Sequence, residues 1–471
     1  MNKTKIIATI GPTSRDKETL KKMIVNGMDI ARINLSHANH DFCREIVEKI
    51  HDLNKELNTF VAVMFDTNGP DIRIDPIAGG VATLKKDDKI RIYRDRVLGD
   101  STKFSTSYKG LIDDVKYNTI IKASVGNVDL EVVDKSPDYL LCKVLNDGEI
   151  ESKKSVNVPG IKLNRPYLDE KDIEDIKLAH ELKADYLALS FVSCSEDVLD
   201  VNDLLIELGD DHLGIIAKIE NERGLNEIDD IIDLCEGVMV ARGDLGIEIS
   251  LERIPGIQKA IINKCHNIGK ISIVATEMLA SMEFEPKPTR AEVSDVANAV
   301  LDGVDAVMLS GETTVGTYPS ETVHMMNKII DSTEDNMDYL NLLDKSMRSE
   351  RQDITGTIAY SVCDSAHRLK CKAIVTPTKS GYTARKISRF RPEAPVIAVT
   401  TDPETARSLN LYYGIIPALT DELKSLDKVV DTAKEIAVSF LALGEGDIII
   451  ITGGYPFKEV NHTNFMKIEE L

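Results

Sequence analysis

The stretch Leu213-Gly214-Ile215-Ile216-Ala217-Lys218-Ile219-Glu220, with Gly237-Val238-Met239-Val240-Ala241-Arg242-Gly243-Asp244 after it, decides the fold. Each is a short apolar run that ends abruptly in charge. A strand with one wet face alternates, whereas a run apolar on both faces belongs to a parallel sheet covered by helices. The same pattern recurs outward in both directions. Ile6–Ile10 stops at Gly11-Pro12, Asp29–Leu35 at Ser36-His37, and Phe60–Phe65 at Asp66-Thr67. Tyr186–Leu189 stops at Ser190-Phe191, Ile271–Ala275 at Thr276-Glu277, and Ala306–Leu309 at Ser310-Gly311-Glu312. Amphipathic helical patterns such as Lys17–Val25, Glu170–Leu182 and Pro255–Ile268 lie between most of these runs. Eight such units predict an α/β fold, a (β/α)8 TIM barrel, with a doubly wound open sheet as the alternative.

One gap breaks the rhythm. Between Gly69 and Val158 the runs become short and alternating, as in Lys89-Ile90-Arg91-Ile92-Tyr93 and Glu131-Val132-Val133. Period-two alternation predicts a small β-barrel domain over residues 69–157, inserted after the third strand. Its tethers are Asn68-Gly69-Pro70 and Asn157-Val158-Pro159-Gly160. An insertion at the face where a barrel keeps its chemistry is placed to act as a lid. The catalytic barrel is then expected over residues 1–68 and 158–340. Beyond it, Ala373–Thr376, Val396–Val399 and Ile448–Ile451 predict buried strands of a C-terminal open α/β domain over residues 341–471. The charged segment Asp344–Asp353 is the expected joint.

Composition excludes several roles. The 471 residues suffice for about three domains. Fifty-seven Lys plus Arg against 78 Asp plus Glu leave a formal charge of −21. That balance repels phosphate backbones and anionic lipids, so neither a nucleic-acid nor a membrane partner is expected. No apolar run approaches the roughly 20 residues of a membrane span. Met1–Ile10 lacks the apolar core and cleavage site of a signal peptide. The seven cysteines are scattered and form no C-x-x-C pair, which reads as reduced thiols in a cytoplasmic protein. An anionic substrate must therefore meet a local basic cluster. Neither a G-x-x-x-x-G-K-[ST] loop nor a G-x-S-x-G elbow is present, so phosphate binding must come from strand ends.

The strand ends carry suitable residues. Glu220 and Asp244 end consecutive strands, where two carboxylates could converge on a hard divalent cation or stand as a solvated pair. Lys218 shares a strand face with Glu220 and is placed to steady a migrating phosphoryl group, or else to form a surface ion pair. Arg32 and Arg73 flank the second and third strand ends and offer bidentate phosphate contacts. Asn34, Ser36, Asp66 and Thr67 supply one carboxylate among neutral oxygens, a set suited to a monovalent cation or to local turns. Thr276, Ser310 and Glu312 form a hydroxyl and carboxylate group for proton relay, or for helix capping. Arg242-Gly243-Asp244 follows a buried strand and is not an adhesion tripeptide.

These stretches together resemble the pyruvate kinase family. The likeness runs through Thr4–Pro12, Ala31–His37, Ile216–Asn221, Ala241–Gly246, Pro288–Val300 and Met308–Thr313, and so spans nearly the whole chain. The resemblance implies a barrel with an inserted β lid and a C-terminal α/β domain, assembled as a homotetramer. It implies glycolytic phosphoryl transfer from phosphoenolpyruvate to ADP, giving pyruvate and ATP. By the same likeness Glu220 and Asp244 bind Mg²⁺ or Mn²⁺, and Asn34, Ser36, Asp66 and Thr67 hold K⁺. Lys218, Arg32 and Arg73 steady the phosphoryl group. Thr276 and the backbone of Gly243 and Asp244 hold the substrate carboxylate, and Thr276, Ser310 and Glu312 lie near the proton path. Pro12, His37 and one of Lys153 and Lys154 meet the nucleotide. Thr378-Lys379-Ser380-Gly381-Tyr382-Thr383 resembles a sugar-phosphate effector loop, with a nucleotide as another candidate ligand, and Tyr455–Asn464 resembles its partner loop without the usual glycines. The further domain that some bacterial members carry is not expected to follow.

The chain also departs from the family pattern. Asn68 stands where Lys is usual, Asp71 where Glu is usual, Ser155 where Gly is common and Glu277 where Gln is usual. Asp71 keeps the acid that goes with K⁺ dependence but shortens it. Two alternatives remain at this level. One is another barrel enzyme acting on an enolate phosphate, which ADP dependence would separate. The other is a sugar-phosphate sensor without catalysis, against which the intact Lys218, Glu220, Asp244 and Thr276 argue.

Overall fold

The structure, a computed structural model, describes residues 2–348, 353–421, 426–455 and 461–471. The apolar runs become strands β1 Lys5–Thr9, β2 Ile30–Asn34, β3 Ala62–Asp66 and β4 Tyr186–Leu189. They continue as β5 Gly214–Ile219, β6 Gly237–Ala241, β7 Ile271–Ala275 and β8 Ala306–Leu309. Hydrogen bonding runs β1-β8-β7-β6-β5-β4-β3-β2 and closes, with parallel pairing throughout. The closed barrel, not the open sheet, is the outcome. Each strand buries both faces. Ile7, Ile30, Met64, Ile216, Met239 and Met308 belong to the cluster filling the barrel, while Ile6, Val63, Leu187, Ile215, Val238 and Val307 pack among the surrounding helices.

Helix boundaries follow local chemistry. Asp16 caps Lys17–Val25 by accepting from the Thr19 N–H at 2.9 Å. Thr289 and Glu292 form a capping box at the start of Arg290–Leu301. Gly269, at φ 74°, ends Ile254–Ile268 in the left-handed conformation.

Between β3 and β4 the chain leaves the barrel and forms a six-stranded sheet and a two-stranded ribbon, Val81–Leu84 with Gly148–Glu151. Both contribute to one apolar core, with Leu84, Ile90, Phe104, Leu130 and Ile150 buried together. The strand Val128–Lys135 shifts register between Val132 and Asp134, an irregularity that bends a sheet around such a core. Two sheets wrapped on one core are the form the expected small barrel takes.

The C-terminal sheet contains β9 Ala373–Pro377, β10 Val396–Thr400, β11 Ile415–Leu419, β12 Ile448–Gly453 and β13 Phe465–Glu470. Its order is β11-β10-β9-β12-β13, open and parallel except for the last strand. This sheet unit closes the end of the barrel where the strands begin. Arg391 makes a bidentate pair with Asp305, just before β8, at 2.6 and 2.8 Å. Arg407 meets Asp185, just before β4, at 3.0 Å, and Lys5 donates to the Ile415 carbonyl at 2.7 Å. The opposite end, where the strands finish, is left for chemistry. Of the expected joint Asp344–Asp353, residues 349–352 lie outside the described set. Among the described residues no helix is long and apolar enough to cross a membrane.

Candidate active site

A cavity of about 180 Å³ opens where the barrel strands end. Parallel register brings its walls together: Asn34 stands opposite Asp66 on neighbouring strands, and Lys218 opposite Met239. Lys218 is 8 % exposed and Asp66 1 %. The Lys218 Nζ lies 3.1 Å from Asp66 Oδ1, 3.1 Å from Glu220 Oε1 and 2.7 Å from Ser190 Oγ. Asp66 Oδ2 accepts from Arg32 Nε at 2.8 Å, and Arg32 Nη1 donates to Thr9 Oγ1 at 2.7 Å. Burial alone would push the Lys218 ammonium down, but Asp66 and Glu220 outweigh it and hold its pKa above the ordinary lysine value. Burial would likewise raise Asp66, but Arg32 and Lys218 keep its carboxyl below the usual range.

Glu220 and Asp244 behave differently. Burial pushes both carboxyls above their ordinary values; Lys218 opposes the shift, and neighbouring carboxylates add to it. Glu220 Oε2 also accepts from the Phe191 N–H at 2.7 Å. The wall therefore holds four carboxylates, Asp66, Asp71, Glu220 and Asp244, against three cations, Arg32, Arg73 and Lys218. An excess of hard oxygen charge in this recess fits a divalent cation held by Glu220 and Asp244. Asn34, Ser36 and Asp66 add neutral and anionic oxygens to the same cavity, which fits a monovalent cation.

The rim is strained. Phe191 sits at φ 57°, Thr276 at φ 70° and Glu277 at φ 55°. Each such non-glycine residue costs of order 1–3 kcal/mol, and such strain gathers at functional sites. Thr276 Oγ1 accepts from the Gly243 N–H at 2.9 Å and donates to the Ala275 carbonyl at 2.6 Å.

The model of the pyruvate kinase barrel domain matches residues 1–323, and that of the pyruvate kinase alpha/beta domain matches residues 356–469. The chain belongs to the pyruvate kinase family. It is 42% identical to a pyruvate kinase of Staphylococcus saprophyticus over 470 residues, 99% of this chain and 80% of that one. It is 41% identical to a pyruvate kinase of Staphylococcus aureus strain MRSA252 over the same span. The crystal structure of a pyruvate kinase from Cryptosporidium parvum superposes with a TM-score of 0.95 at 37% identity, covering 100% of this chain and 96% of that one. As a member of this family the chain is a phosphotransferase, as the sequence resemblance implied. Pyruvate kinases depend in general on a divalent metal and a monovalent cation.

The structure gathers most of the residues expected from the sequence. Arg32, Asn34, Ser36, Asp66, Lys218, Glu220, Asp244, Thr276 and Ser310 line the mouth cavity. Arg73 lines it too, but its Nε pairs with Asp71 Oδ2 at 2.8 Å and its Nη1 donates to the Lys153 carbonyl at 3.1 Å. Burial, opposed by Arg73, raises the Asp71 carboxyl. Thr67 is buried, its Oγ1 accepting from the Ser190 N–H at 3.3 Å, and it does not line the cavity. Glu312 also stands behind the wall. Its oxygens accept from the Leu279 N–H at 3.1 Å and the Ser310 N–H at 2.7 Å, so here it braces the loop. Pro12 and His37 line an adjoining cavity of about 660 Å³, which shares Arg32, Asn34, His37 and Ser310 with the first. Lys153 and Lys154 line neither. Asn68 lines the mouth, whereas Glu277 is exposed and does not.

Sequence reasoning passed over Ser190, whose Oγ accepts from Lys218 at 2.7 Å and whose one hydroxyl proton faces the Thr67 carbonyl at 2.7 Å and Asp66 Oδ1 at 3.1 Å. It also passed over Arg15, which lies 5.6 Å over the Phe42 ring and pairs with Glu45 at 2.7 Å in the second cavity. Both signals were present, as a hydroxyl ending β4 and as a basic residue after Gly11-Pro12. At the far end of the molecule Thr378–Thr383 follows β9. Gly381 takes φ 77°, Ser380 Oγ donates to Asn461 Oδ1 at 3.0 Å, and Thr383 Oγ1 lies 2.9 Å from Thr463 Oγ1. Lys379 and Ser380 border a cleft of about 620 Å³ shared with the barrel base. Of the partner loop Tyr455–Asn464, Pro456–Val460 lie outside the described residues.

Proposed function

We propose that the chain transfers the phosphoryl group of phosphoenolpyruvate to ADP, giving pyruvate and ATP, at the barrel mouth. The observation that carries this is Lys218, a buried ammonium held between Asp66 and Glu220 on the cavity wall. Catalysis of phosphoryl transfer consists chiefly of positioning and charge stabilisation. Lys218 and Arg32 would face the migrating group with cations whose orientation Asp66 and Ser190 fix. Arg73 would join them by exchanging its Asp71 partner for phosphate. The Gly243 N–H and the Thr276 hydroxyl would exchange their bonds to Thr276 Oγ1 and the Ala275 carbonyl for the substrate carboxylate, which the Asp244 backbone would also meet. Ser310, with Thr276 beside it, would be the route of a proton to the enolate carbon, Glu312 holding Ser310 in place. Pro12 and His37 would meet the nucleotide in the second cavity, and Lys153 or Lys154 would reach it from the inserted β domain acting as a lid.

Glu220 and Asp244 would hold Mg²⁺ or Mn²⁺, and Asn34, Ser36, Asp66 and Thr67 would hold K⁺. Bound there, these cations supply charge neutralisation for the phosphoryl and carboxylate oxygens. We assign the barrel to residues 1–68 and 158–340, the lid to 69–157 and a regulatory domain to 341–471. The last would take a sugar phosphate or nucleotide at Thr378, Lys379, Ser380, Gly381 and Thr383, within a cytoplasmic homotetramer.

The test is ATP formation from phosphoenolpyruvate and ADP with Mg²⁺, in matched K⁺ and Na⁺-only buffers. Strong activity only with K⁺ is expected. Equal activity in both would remove the K⁺ assignment, and none in either would remove the kinase reading.

A further inference from the structure

Arg242 lies beside the site without being assigned to it. Its side chain is buried to 11 % exposure. Nη1 donates to Asp295 Oδ1 at 2.8 Å, on the helix Arg290–Leu301. Nη2 donates to the Thr276 carbonyl at 2.6 Å and approaches Met278 Sδ at 3.0 Å. One guanidinium thus ties the end of β6 to the turn after β7 and to a flanking helix. The turn it grips is the strained one. Thr276 and Glu277 are successive left-handed residues, and a β-branched residue adopts that conformation only when its surroundings impose it. The same turn aims the Thr276 hydroxyl at the Gly243 N–H, one residue along the chain from Arg242.

We propose that Arg242 is a positioning residue. Braced by Asp295, it pins the Thr276 carbonyl, holds Thr276 and Glu277 left-handed, and so registers the Thr276 hydroxyl with the Gly243 N–H as one carboxylate-binding pair. This rests on the reading that Thr276 and Gly243 receive the substrate carboxylate. A planar fork suits the task because it bonds two partners in fixed directions at once, which a lysine cannot do.

The test compares full-length Arg242→Gln and Asp295→Asn with the parent enzyme. Losing a charge-assisted hydrogen bond at a substrate-binding turn raises the KM for phosphoenolpyruvate about ten- to a hundredfold. The KM for ADP stays within about twofold, because that substrate does not touch the turn. Adding Glu277→Gly to Arg242→Gln returns the phosphoenolpyruvate KM toward the parent value, since glycine enters the left-handed conformation without the Cβ penalty that Glu277 bears. Glu277→Gly alone leaves the parent kinetics unchanged. An unchanged phosphoenolpyruvate KM, an equal rise in both KM values, or no recovery with Glu277→Gly overturns the proposal. If Arg242→Gln does not fold, Asp295→Asn with and without Glu277→Gly carries the same comparison. The underlying reading is tested separately by Thr276→Ala. If that leaves the phosphoenolpyruvate KM unchanged, the carboxylate reading fails. The Thr276 φ in a crystal structure of Arg242→Gln then decides for Arg242: lost left-handed geometry supports the clamp, and retained geometry overturns it.

Discussion

Replacing Lys218 with methionine keeps an unbranched apolar stem one atom shorter and removes the ammonium with its hydrogen bonds to Asp66 and Ser190, so it tests what that group contributes. A phosphoryl group in transit along the cavity wall would pass about 4 Å from Nζ, where a unit charge at an effective dielectric of 20 is worth about 4 kcal/mol. That corresponds to a loss of about a thousandfold in kcat. The fold should tolerate the change better than the usual 3–5 kcal/mol for an orphaned buried charge. Asp66 keeps Arg32 at 2.8 Å, and Glu220, already raised by burial, can take up a proton once Lys218 no longer opposes it. Coupled-assay kcat, calorimetric phosphoenolpyruvate binding with Mg²⁺ and thermal melting separate the three effects. The expected result is lost turnover, near-parent binding and a modest fall in Tm. A kcat within tenfold of the parent, or binding lost in step with turnover, would refute the assigned role.

Glu220→Gln or Asp244→Asn should abolish Mn²⁺ binding seen by electron paramagnetic resonance, since one carboxylate remains where two converged; undiminished binding would move the divalent site elsewhere. Burial pushes the Glu248 carboxyl up to about 7 from an ordinary 4.5, with Asn157 and Lys122 opposing and Glu222 adding. A raised carboxyl pKa means that the folded chain binds the extra proton, so stability falls as pH rises from 4.5 to 7. Glu248→Gln should therefore raise the melting temperature at pH 8, by no more than about 3 kcal/mol in stability, and lose that advantage by pH 4; a gain independent of pH would contradict this. Lys379→Ala should abolish activation by sugar phosphates while leaving unstimulated turnover intact, and an activation curve that does not shift would dismiss the effector loop.

The barrel was legible because each strand is apolar on both faces and the polar residue that follows is the one the mouth uses. Period two thus put Lys218 on the face of Glu220, and strand-end positions in a closed barrel put Asp244 and Thr276 beside them. What the sequence left open were choices between partners. Ser190 ends β4 like any small capping residue, and nothing in its neighbours shows that it bridges Lys218 and Asp66. Glu312 could serve a proton relay or hold backbone, and both its oxygens hold backbone N–H groups. Arg73 carries its own counter-ion two residues away in Asp71, a pairing that a linear reading for phosphate contacts overlooks. The ion pairs Asp185–Arg407 and Asp305–Arg391 join segments far apart in the chain, and such pairs leave no periodic trace.

The floor of the barrel has a consequence for how this protein can be divided. Ile374, Phe390 and Tyr412 of the C-terminal unit lie in one continuous cluster with Ile7, Met64 and Met239 of the barrel. The barrel therefore borrows its bottom layer from the C-terminal unit. A chain cut after residue 340 would expose that oily layer to water, and Asp185 and Asp305 would lose their arginines. Such a fragment would be sticky and poorly folded, not a freely running enzyme released from control. Losing the C-terminal unit would then mean losing the catalyst as well, so a truncation there should behave as a folding defect and not as a constitutively active form.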